Sequence, residues 1–337
     1  MALPASGPIS FNAINVELGV AGTTTASLGQ ASYRSLAGVA SGAISLSNFY
    51  GKSNAFTFSI TSNQTNANLR TLALAAGWNG TSAVTATVNG GVYVYSTSTG
   101  TPGLTINGSF PGGVSLINNG FIIGMGGVGG TGNGGFGLGA GGDAISLGVS
   151  VSITNNSYIA GGGGGGGGGE FPGGGGGAGG GNGGVGYDPD RFPGFGTGGG
   201  PGSAGGNGIG YDVGDSYNNI IWSTGAGGGR ILPGSGGAGG NPDTLTVALG
   251  GGAGGGGGFQ RIYEFFDIYY YSTGGNGGGA NAGGSTGINS GAGGGGGWGA
   301  SGGSGAYGGG AAGGKAVALN GYTATFVATG IRYGAIS

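Results

Sequence analysis

Carboxylates are the residues of this chain whose type and spacing could support a reaction. Glu170, Glu264 and Asp267 are candidates for the acid and base of glycosidic cleavage, which needs two carboxylates. The chain contains no histidine and no cysteine. The commonest general base, the thiolate nucleophile, disulfides and zinc–sulfur sites are therefore excluded. Glu264 and Asp267 are equally consistent with solvent-exposed loop positions, and we do not expect an enzyme.

Two further acidic pairs could bind calcium. They are Asp188 with Asp190, and Asp212 with Asp215. Neither pair belongs to a complete loop of oxygen ligands, which calcium requires. The pattern G-x-G-x-x-G recurs through composition alone, without the strand–helix unit of a dinucleotide site. We expect no metal and no cofactor.

Charge and hydropathy exclude other classes of partner. Of 337 residues, 18 are charged, with a formal net charge of −2. A nucleic-acid-binding protein would need clustered lysine and arginine, so we expect no nucleic acid. No apolar run is long enough to span a bilayer, and the N-terminus has no secretory signal. We expect no membrane insertion.

The elements that must position any site change in kind along the chain. Residues 1–53 are predicted to form a small module with short helices, of which the first is capped by Ser10 and stopped by Gly19. Residues 54–118 contain alternating segments such as 56–60 and 84–88. This pattern predicts a β-rich domain, with one short helix after Asn68.

One segment is repeated 37 residues later. VSLINNGFIIG (114–124) matches VSITNNSYIAG (151–161), each with an alternating strand, an asparagine-rich turn and an aromatic entry into glycine. Such self-similarity predicts stacked units. Residues 316–326 form a third strand–turn–strand segment, and we expect a short C-terminal β closure over 319–337.

Residues 119–318 hold 85 of the 104 glycines, with unbroken runs at 161–169, 173–177, 254–258 and 293–297. Collagen is excluded because glycine is not confined to every third position. A disordered linker usually carries more charge, and a fibrous zipper less glycine, but both remain alternatives. We favour a lattice of polyglycine-II helices. These have three residues per turn and no internal hydrogen bonds, so every peptide group must pair with a neighbouring helix.

The insertions between glycine runs, within residues 187–273, are rich in aromatic and charged residues. This composition is typical of a binding surface on loops, although the aromatic side chains could instead pack together and cap the lattice. The sequence does not decide whether the chain reverses at Pro201 and at residues 230–233. The predicted recognition residues are Tyr187, Arg191, Phe192, Tyr211, Tyr217, Trp222, Arg261, Tyr263, Tyr269, Tyr270 and Tyr271.

Glycine runs such as 160–169 and 253–258, interrupted by aromatic loops, resemble the adhesins at the tips of the long tail fibres of T-even-like bacteriophages. The resemblance covers residues 119–318 and implies a polyglycine-II sandwich whose distal loops recognise outer-membrane proteins or surface glycans. Residues 9–19 with 46–51 are similar to a module near the start of phage tail and fibre proteins. Residues 313–321 with 333–337 are similar to the ending of glycine-rich phage tail proteins. Residues 1–118 as a whole do not resemble the fibre-attachment half of the T-even adhesins.

The leading hypothesis is a phage receptor-binding protein (adhesin) of the tail or fibre tip, made in the host cytoplasm and carried on the virion. Its expected partners are a bacterial outer-surface protein or glycan, and other tail or fibre proteins bound through residues 1–53, with or without 54–118. It would act as a monomer or a homotrimer. The alternatives are a structural glycine-rich tail or matrix protein without a specific ligand, and a surface-glycan depolymerase.

Overall fold

The computed structural model describes residues 3–133, 138–187, 194–214, 218–241, 248–264 and 267–337. The helices are α1 (Phe11–Glu17), α2 (Ala31–Ala37) and α3 (Leu69–Ala75), with a 3-10 helix at Leu46–Phe49. The strands are β1 (Phe56–Ile60), β2 (Gln64–Thr65), β3 (Ala67–Asn68), β4 (Val84–Val88), β5 (Tyr93–Tyr95), β6 (Leu104–Ile106), β7 (Val114–Asn118), β8 (Phe121–Ile123), β9 (Ile145–Leu147), β10 (Val151–Asn155), β11 (Tyr158–Ala160), β12 (Gly210–Gly214), β13 (Asn218–Ser223), β14 (Gln260–Glu264), β15 (Asp267–Ser272), β16 (Val317–Ala318), β17 (Ala324–Ala328) and β18 (Ile331–Tyr333).

The N-terminal module has the predicted short helices. Ser10 caps α1 by accepting a hydrogen bond from the backbone N–H of Ala13 at 3.2 Å. The module has its own core, in which Ile14, Tyr33 and Phe49 are buried. Glu17 at the end of α1 accepts a hydrogen bond from the backbone N–H of Asn54 at 2.8 Å. This bond ties the module to the chain just before β1.

From β1 onward the chain forms a three-sided parallel coil, which comprises β1–β11 and β16–β18. Successive strands enter three different sheets, of order β1-β4-β7-β10-β17, β2-β5-β8-β11-β18 and β3-β6-β9-β16. The alternation read from the sequence explains the packing. In β4, for example, Val84, Ala86 and Val88 are buried in the core, while the residues between them are partly exposed.

The predicted stacking of the 37-residue repeat is confirmed. Leu116 pairs with Ile153, and Phe121 pairs with Tyr158, in neighbouring parallel strands. The third segment joins the same stack, because Val151 pairs with Ala324. The sheets continue across residues 118 and 119, where the sequence suggested a change of domain. Strands β8–β11 and β16 belong to the coil, so the β-rich part extends into the glycine-rich stretch.

Asparagines line the corner between the first two sheets of the coil. Asn118 Nδ2 donates a hydrogen bond to Asn155 Oδ1 at 2.8 Å, and both residues are buried. Asn155 Nδ2 donates in turn to the carbonyl groups of Thr329 and Ile331, at 3.0 and 3.2 Å. The asparagine-rich turns of the repeat therefore satisfy buried backbone carbonyls from one turn of the coil to the next.

The remaining glycine-rich segments form a hydrogen-bonded bundle beside the coil. This glycine bundle consists of the described segments between β8 and β9, which are 124–133 and 138–144, and of the described segments between β11 and β16 apart from strands β12–β15. Its central run, 161–169, makes bonds with a period of three. Its backbone N–H groups donate to the carbonyls of three separate segments, and every third residue donates to the same segment. Gly162 and Gly165 donate to Gly142 and Gly139, and Gly163 and Gly166 donate to Ala178 and Gly175. Gly164 and Gly167 donate to Ala300 and Gly303.

The carbonyls of the central run accept hydrogen bonds from three other segments. The N–H groups of Gly127, Gly296 and Gly314 donate to the carbonyls of Gly163, Gly164 and Gly162 respectively. Six neighbouring segments thus surround one run. A Cβ atom built on any glycine from 161 to 169 would lie only 1.9–2.3 Å from a backbone oxygen of a neighbour. Close approach of the backbones is therefore the reason that these positions carry no side chain.

Arg230 joins the glycine bundle to the coil. Its buried guanidinium donates from Nε to the Gly179 carbonyl at 2.9 Å and from Nη2 to the Ser96 carbonyl at 3.1 Å. It also lies 4.8 Å from the centre of the Tyr95 ring. Burial lowers the pKa of Arg230 from its ordinary value, but that value is so high that the group stays charged at neutral pH.

Substituting Arg230 by methionine is expected to loosen this joint. Methionine keeps much of the apolar bulk but leaves two buried carbonyls without their donor, at a cost of about 2–4 kcal/mol in the free energy of unfolding. Thermal unfolding checks the prediction. The control is Arg70→Met, which removes one exposed hydrogen bond, from Nε to the Ser109 carbonyl. Equal effects of the two substitutions would argue against a special role for Arg230.

Candidate functional site

The glycine bundle has one end at the coil and one end away from it. The central run begins at the coil, because the Gly161 N–H donates to the Tyr333 carbonyl in β18. At its other end the Gly169 N–H donates to the carbonyl of Pro172, which belongs to no strand of the coil. We call the segments gathered there the far end, which comprises residues 168–173, 185–187, 209–214, 218–224, 258–264, 267–274, 286–291 and 304–308.

Backbone hydrogen bonds hold these segments together. Tyr187, Glu170 and Tyr307 donate their N–H groups to the carbonyls of Phe171, Ser290 and Gly168 respectively. The Ile288 N–H donates to the Thr273 carbonyl at 3.0 Å. Segments that are more than one hundred residues apart in sequence therefore meet on one surface.

The chain reversals that the sequence left open lie at the coil end. The Gly199 N–H donates to the Gly228 carbonyl. The chain then reverses after Pro201 and runs back beside itself, since the Gly206 N–H donates to the Thr197 carbonyl. The break at 230–233 is also a reversal, anchored at the coil by Arg230. Because both reversals are at the coil, the aromatic segments on either side of them reach the same far end.

A four-stranded antiparallel sheet rises from the far end, with the order β12-β13-β14-β15. At the base of this sheet, two serines join neighbouring strands. The Phe259 N–H donates to Ser223 Oγ at 3.1 Å, and the Gln260 N–H donates to Ser272 Oγ at 2.9 Å. The sequence pattern of two aromatic segments thus produces two paired hairpins on a common base.

Trp222 belongs to this base and not to an exposed surface. Its side chain is 1% exposed. A Cβ atom on Gly186 would lie 2.0 Å from the Trp222 ring, so the ring packs directly on glycine backbone. We therefore correct its assignment as a recognition residue. Trp222 supports the sheet, because a large apolar ring is more stable beneath the strands than in water.

The other predicted recognition residues divide into three groups. Tyr187 lies at the far end and is 41% exposed, with its ring 6.4 Å from that of Phe171. Arg261 is half-buried on β14, opposite Ile221 and Tyr271 in the neighbouring strands. The structure gives strand positions, but no side-chain description, for Tyr211, Tyr263, Tyr269, Tyr270 and Tyr271. Arg191, Phe192 and Tyr217 lie outside the described residues.

Two far-end residues were missed by the sequence reasoning. Ile288 is 60% exposed and Tyr307 is 52% exposed. Both lie after residue 273, outside the aromatic-rich insertions of residues 187–273. Each is the one large side chain in a short segment of small residues, GINS at 287–290 and GAYG at 305–308. That contrast is the signal that could have identified them.

The candidate carboxylates also lie at the far end. Glu264 and Asp267 are cross-strand partners in β14 and β15. Glu170 accepts a hydrogen bond from Gln260 Nε2 at 3.4 Å. Of the calcium candidates, Asp188, Asp190 and Asp215 lie outside the described residues, and Asp212 is described as a strand position in β12. Within the described ranges, no three His, Cys, Asp or Glu residues come together to hold a metal ion.

In the described part of the chain, no helix has the length and hydropathy needed to cross a bilayer.

Comparison with known proteins gives a family. The sequence model of the phage tail fibre adhesin Gp38 family matches residues 55–337. The crystal structure of the gp37–gp38 adhesin tip complex of the bacteriophage S16 long tail fibre is similar to this chain, with a TM-score of 0.46 and 20% identity over 99% of this chain and 100% of that chain. No curated protein matches the chain.

Proposed function

The chain belongs to the Gp38 family of phage tail fibre adhesins, and from this membership we propose that its far end is the surface that contacts the receptor. As a tail fibre adhesin, the protein is a receptor-binding protein of the virion, located at the tail-fibre tip. The family match begins at residue 55 and includes the coil. The resemblance read from the sequence covered residues 119–318, and the family match extends it to residues 55–118.

The observation that carries the proposal is the shared location of the aromatic segments. Both hairpins of the four-stranded sheet, together with the exposed Tyr187, Ile288 and Tyr307, belong to the end of the glycine bundle that faces away from the coil. Exposed aromatic and apolar side chains beside polar loops are typical of recognition surfaces on rigid scaffolds. The same placement leaves the coil and the N-terminal module free for contacts with the rest of the tail.

We further propose that the glycine bundle is a polyglycine-II lattice that acts as a stiff spacer. The period of three in the hydrogen bonds of residues 161–169 supports this, since such a helix has three residues per turn. Six surrounding segments give the run no freedom to bend independently. A stiff spacer keeps the loops pre-organised, which lowers the entropy lost on binding.

We assign attachment to the tail to the part of the protein opposite the far end, which is the N-terminal module and the coil. Residues 1–53, with the adjacent coil, would bind another tail or fibre protein. The module supports this because it exposes several large apolar side chains despite its small size, namely Phe11, Val16, Val20 and Tyr50. Exposed apolar side chains on a small folded unit are suited to burial against a partner.

Replacing the outer hairpin residues tests the receptor-contact proposal. Residues 213–219 and 263–269 are exchanged for Gly/Ser turns, while Trp222, Phe259 and Gln260 are kept so that the base remains packed. We expect binding to susceptible cells to fall about 30-fold or more, because Tyr217, Tyr263 and Tyr269, three of the predicted recognition residues, are removed together. The far-UV circular dichroism of the glycine bundle should not change.

The matched control exchanges residues 280–282, a turn at the coil end of the bundle, for Gly/Ser. Cell binding by this control should equal that of the unaltered protein. Unaltered binding by the hairpin variant would refute the assignment of the receptor surface to the far end.

A further inference from the structure

Among the described residues, the charges are divided unevenly between the far end and the rest of the chain. At the far end the described residues include the acidic Glu170, Asp212, Glu264 and Asp267, against the single basic residue Arg261. Four carboxylates against one arginine give a formal charge of −3. The rest of the described chain has only Glu17 and Asp143, against the six basic residues Arg34, Lys52, Arg70, Arg230, Lys315 and Arg332, for a formal charge of +4. An acidic far end therefore opposes a basic coil and N-terminal module.

Residues 168–171, around Glu170, make backbone hydrogen bonds to three far-end segments that each carry a large exposed side chain. Its N–H donates to the Ser290 carbonyl at 3.1 Å, two residues from the exposed Ile288. The chain on either side of Glu170 accepts from the exposed tyrosines, through Tyr307 to the Gly168 carbonyl and Tyr187 to the Phe171 carbonyl. A half-buried carboxylate is thus surrounded by segments that each present a large exposed side chain.

A buried amide lies against this carboxylate. Gln260 is 1% exposed, and its Nε2 is 3.4 Å from Glu170 Oε2. Its Oε1 atom is also buried and, within the described part of the chain, has no hydrogen-bond partner. Buried acceptors are normally satisfied. The side chain bonded to Glu170 therefore contains a second acceptor that lacks a donor, and a carboxylate in such surroundings favours a positively charged hydrogen-bond donor.

We propose that Glu170 binds a lysine or arginine side chain on a protein of the host surface. The proposal rests on the assignment of the far end as the receptor-contacting surface. A carboxylate gives a charge-assisted hydrogen bond to such a cation, and neighbouring tyrosines can add a cation–π attraction. A phosphate-rich glycolipid would be repelled by the acidic far end, so complementarity favours a basic protein surface.

The test uses Glu170→Gln, which keeps the shape and removes the charge. Outer-membrane vesicles from a susceptible strain are immobilised, and binding of the full chain is measured at 50 and 300 mM NaCl. We expect the dissociation constant of the variant to rise on the order of tenfold at low salt, with a weaker salt dependence than the unaltered protein. Glu170→Asp, which retains the charge, should keep the salt dependence.

Asp143→Asn is the matched control for net charge. Asp143 lies at the coil end, where its Oδ1 accepts from the Lys315 N–H at 2.8 Å, a bond that asparagine can keep. This control should bind as the unaltered protein does. Thermal unfolding confirms that each variant is folded.

Three outcomes would overturn the proposal. In the first, Glu170→Gln binds with the affinity of the unaltered protein while the hairpin replacement still lowers binding. The far end would then be the receptor-contacting surface, but Glu170 would not take part in it. The second is binding that strengthens as salt is added. The third is equal binding to protein-free vesicles of purified host glycolipid, which would identify an anionic glycolipid as the partner. If the far end is not the receptor-contacting surface at all, the hairpin variant keeps its binding. That result distinguishes failure of the proposed function from failure of the Glu170 proposal.

Discussion

Gly165→Ala in the central run is expected to lower the free energy of unfolding by about 3 kcal/mol or more. A Cβ atom at this position would lie 1.9 Å from the Val128 carbonyl oxygen and 2.5 Å from its carbon. Both atoms are backbone, so no side-chain rotation can relieve the overlap. Separation of the segments would also weaken the bonds from the Gly165 N–H to Gly139 and from the Ala311 N–H to the Gly165 carbonyl, both 2.9 Å long.

The measurement is thermal unfolding, in which we expect the melting temperature to fall by roughly 4 °C or more. Gly309→Ala is the matched control. Gly309 is exposed, and a Cβ atom there would have no atom within 4 Å. The control should be neutral or more stable by about 0.5 kcal/mol, since alanine reduces the entropy of the unfolded chain. If both substitutions had the same small effect, close backbone packing would not explain the glycine runs.

Asn155→Ala is expected to lower the free energy of unfolding by about 3–5 kcal/mol. Asn155 is buried, and its amide donates to the Thr329 and Ile331 carbonyls while accepting from Asn118. Alanine would leave these groups without partners in an interior that excludes water. The loss should be concentrated in β17 and β18, which form the last turn of the coil.

Hydrogen exchange resolves this effect by position. Amides of β17 and β18 should exchange faster in Asn155→Ala, while those of β4 and β7 should change little. The neighbouring Asn156→Ala provides the control, because Asn156 is exposed and makes a bond to Asn119 at 2.9 Å. We expect it to change stability by no more than about 0.5 kcal/mol. Uniform acceleration throughout the coil would contradict a local role for Asn155.

Local elements of this protein were predictable from short-range chemistry. Ser10 and Asn68 each cap the helix that follows, as their side chains predict, and the alternating residues of 84–88 form a strand with one buried face. These features depend on residues within a few positions of one another. The extent of the coil was not predictable in this way. Val84 pairs with Val114, but Val151 pairs with Ala324, because the glycine bundle intervenes.

The sequence by itself determined that the chain has no histidine or cysteine chemistry, that glycine is concentrated in residues 119–318, and that aromatic insertions interrupt the glycine runs. Only the tertiary structure decided which insertions share the far end, that Trp222 is buried beneath the sheet, and that Ile288 and Tyr307 are exposed there. The physical reason is that the backbone hydrogen bonds of the glycine bundle join segments that are far apart in the sequence. In the central run 161–169, peptide groups pair with distant segments, so the position of each segment is set by partners that local sequence does not specify.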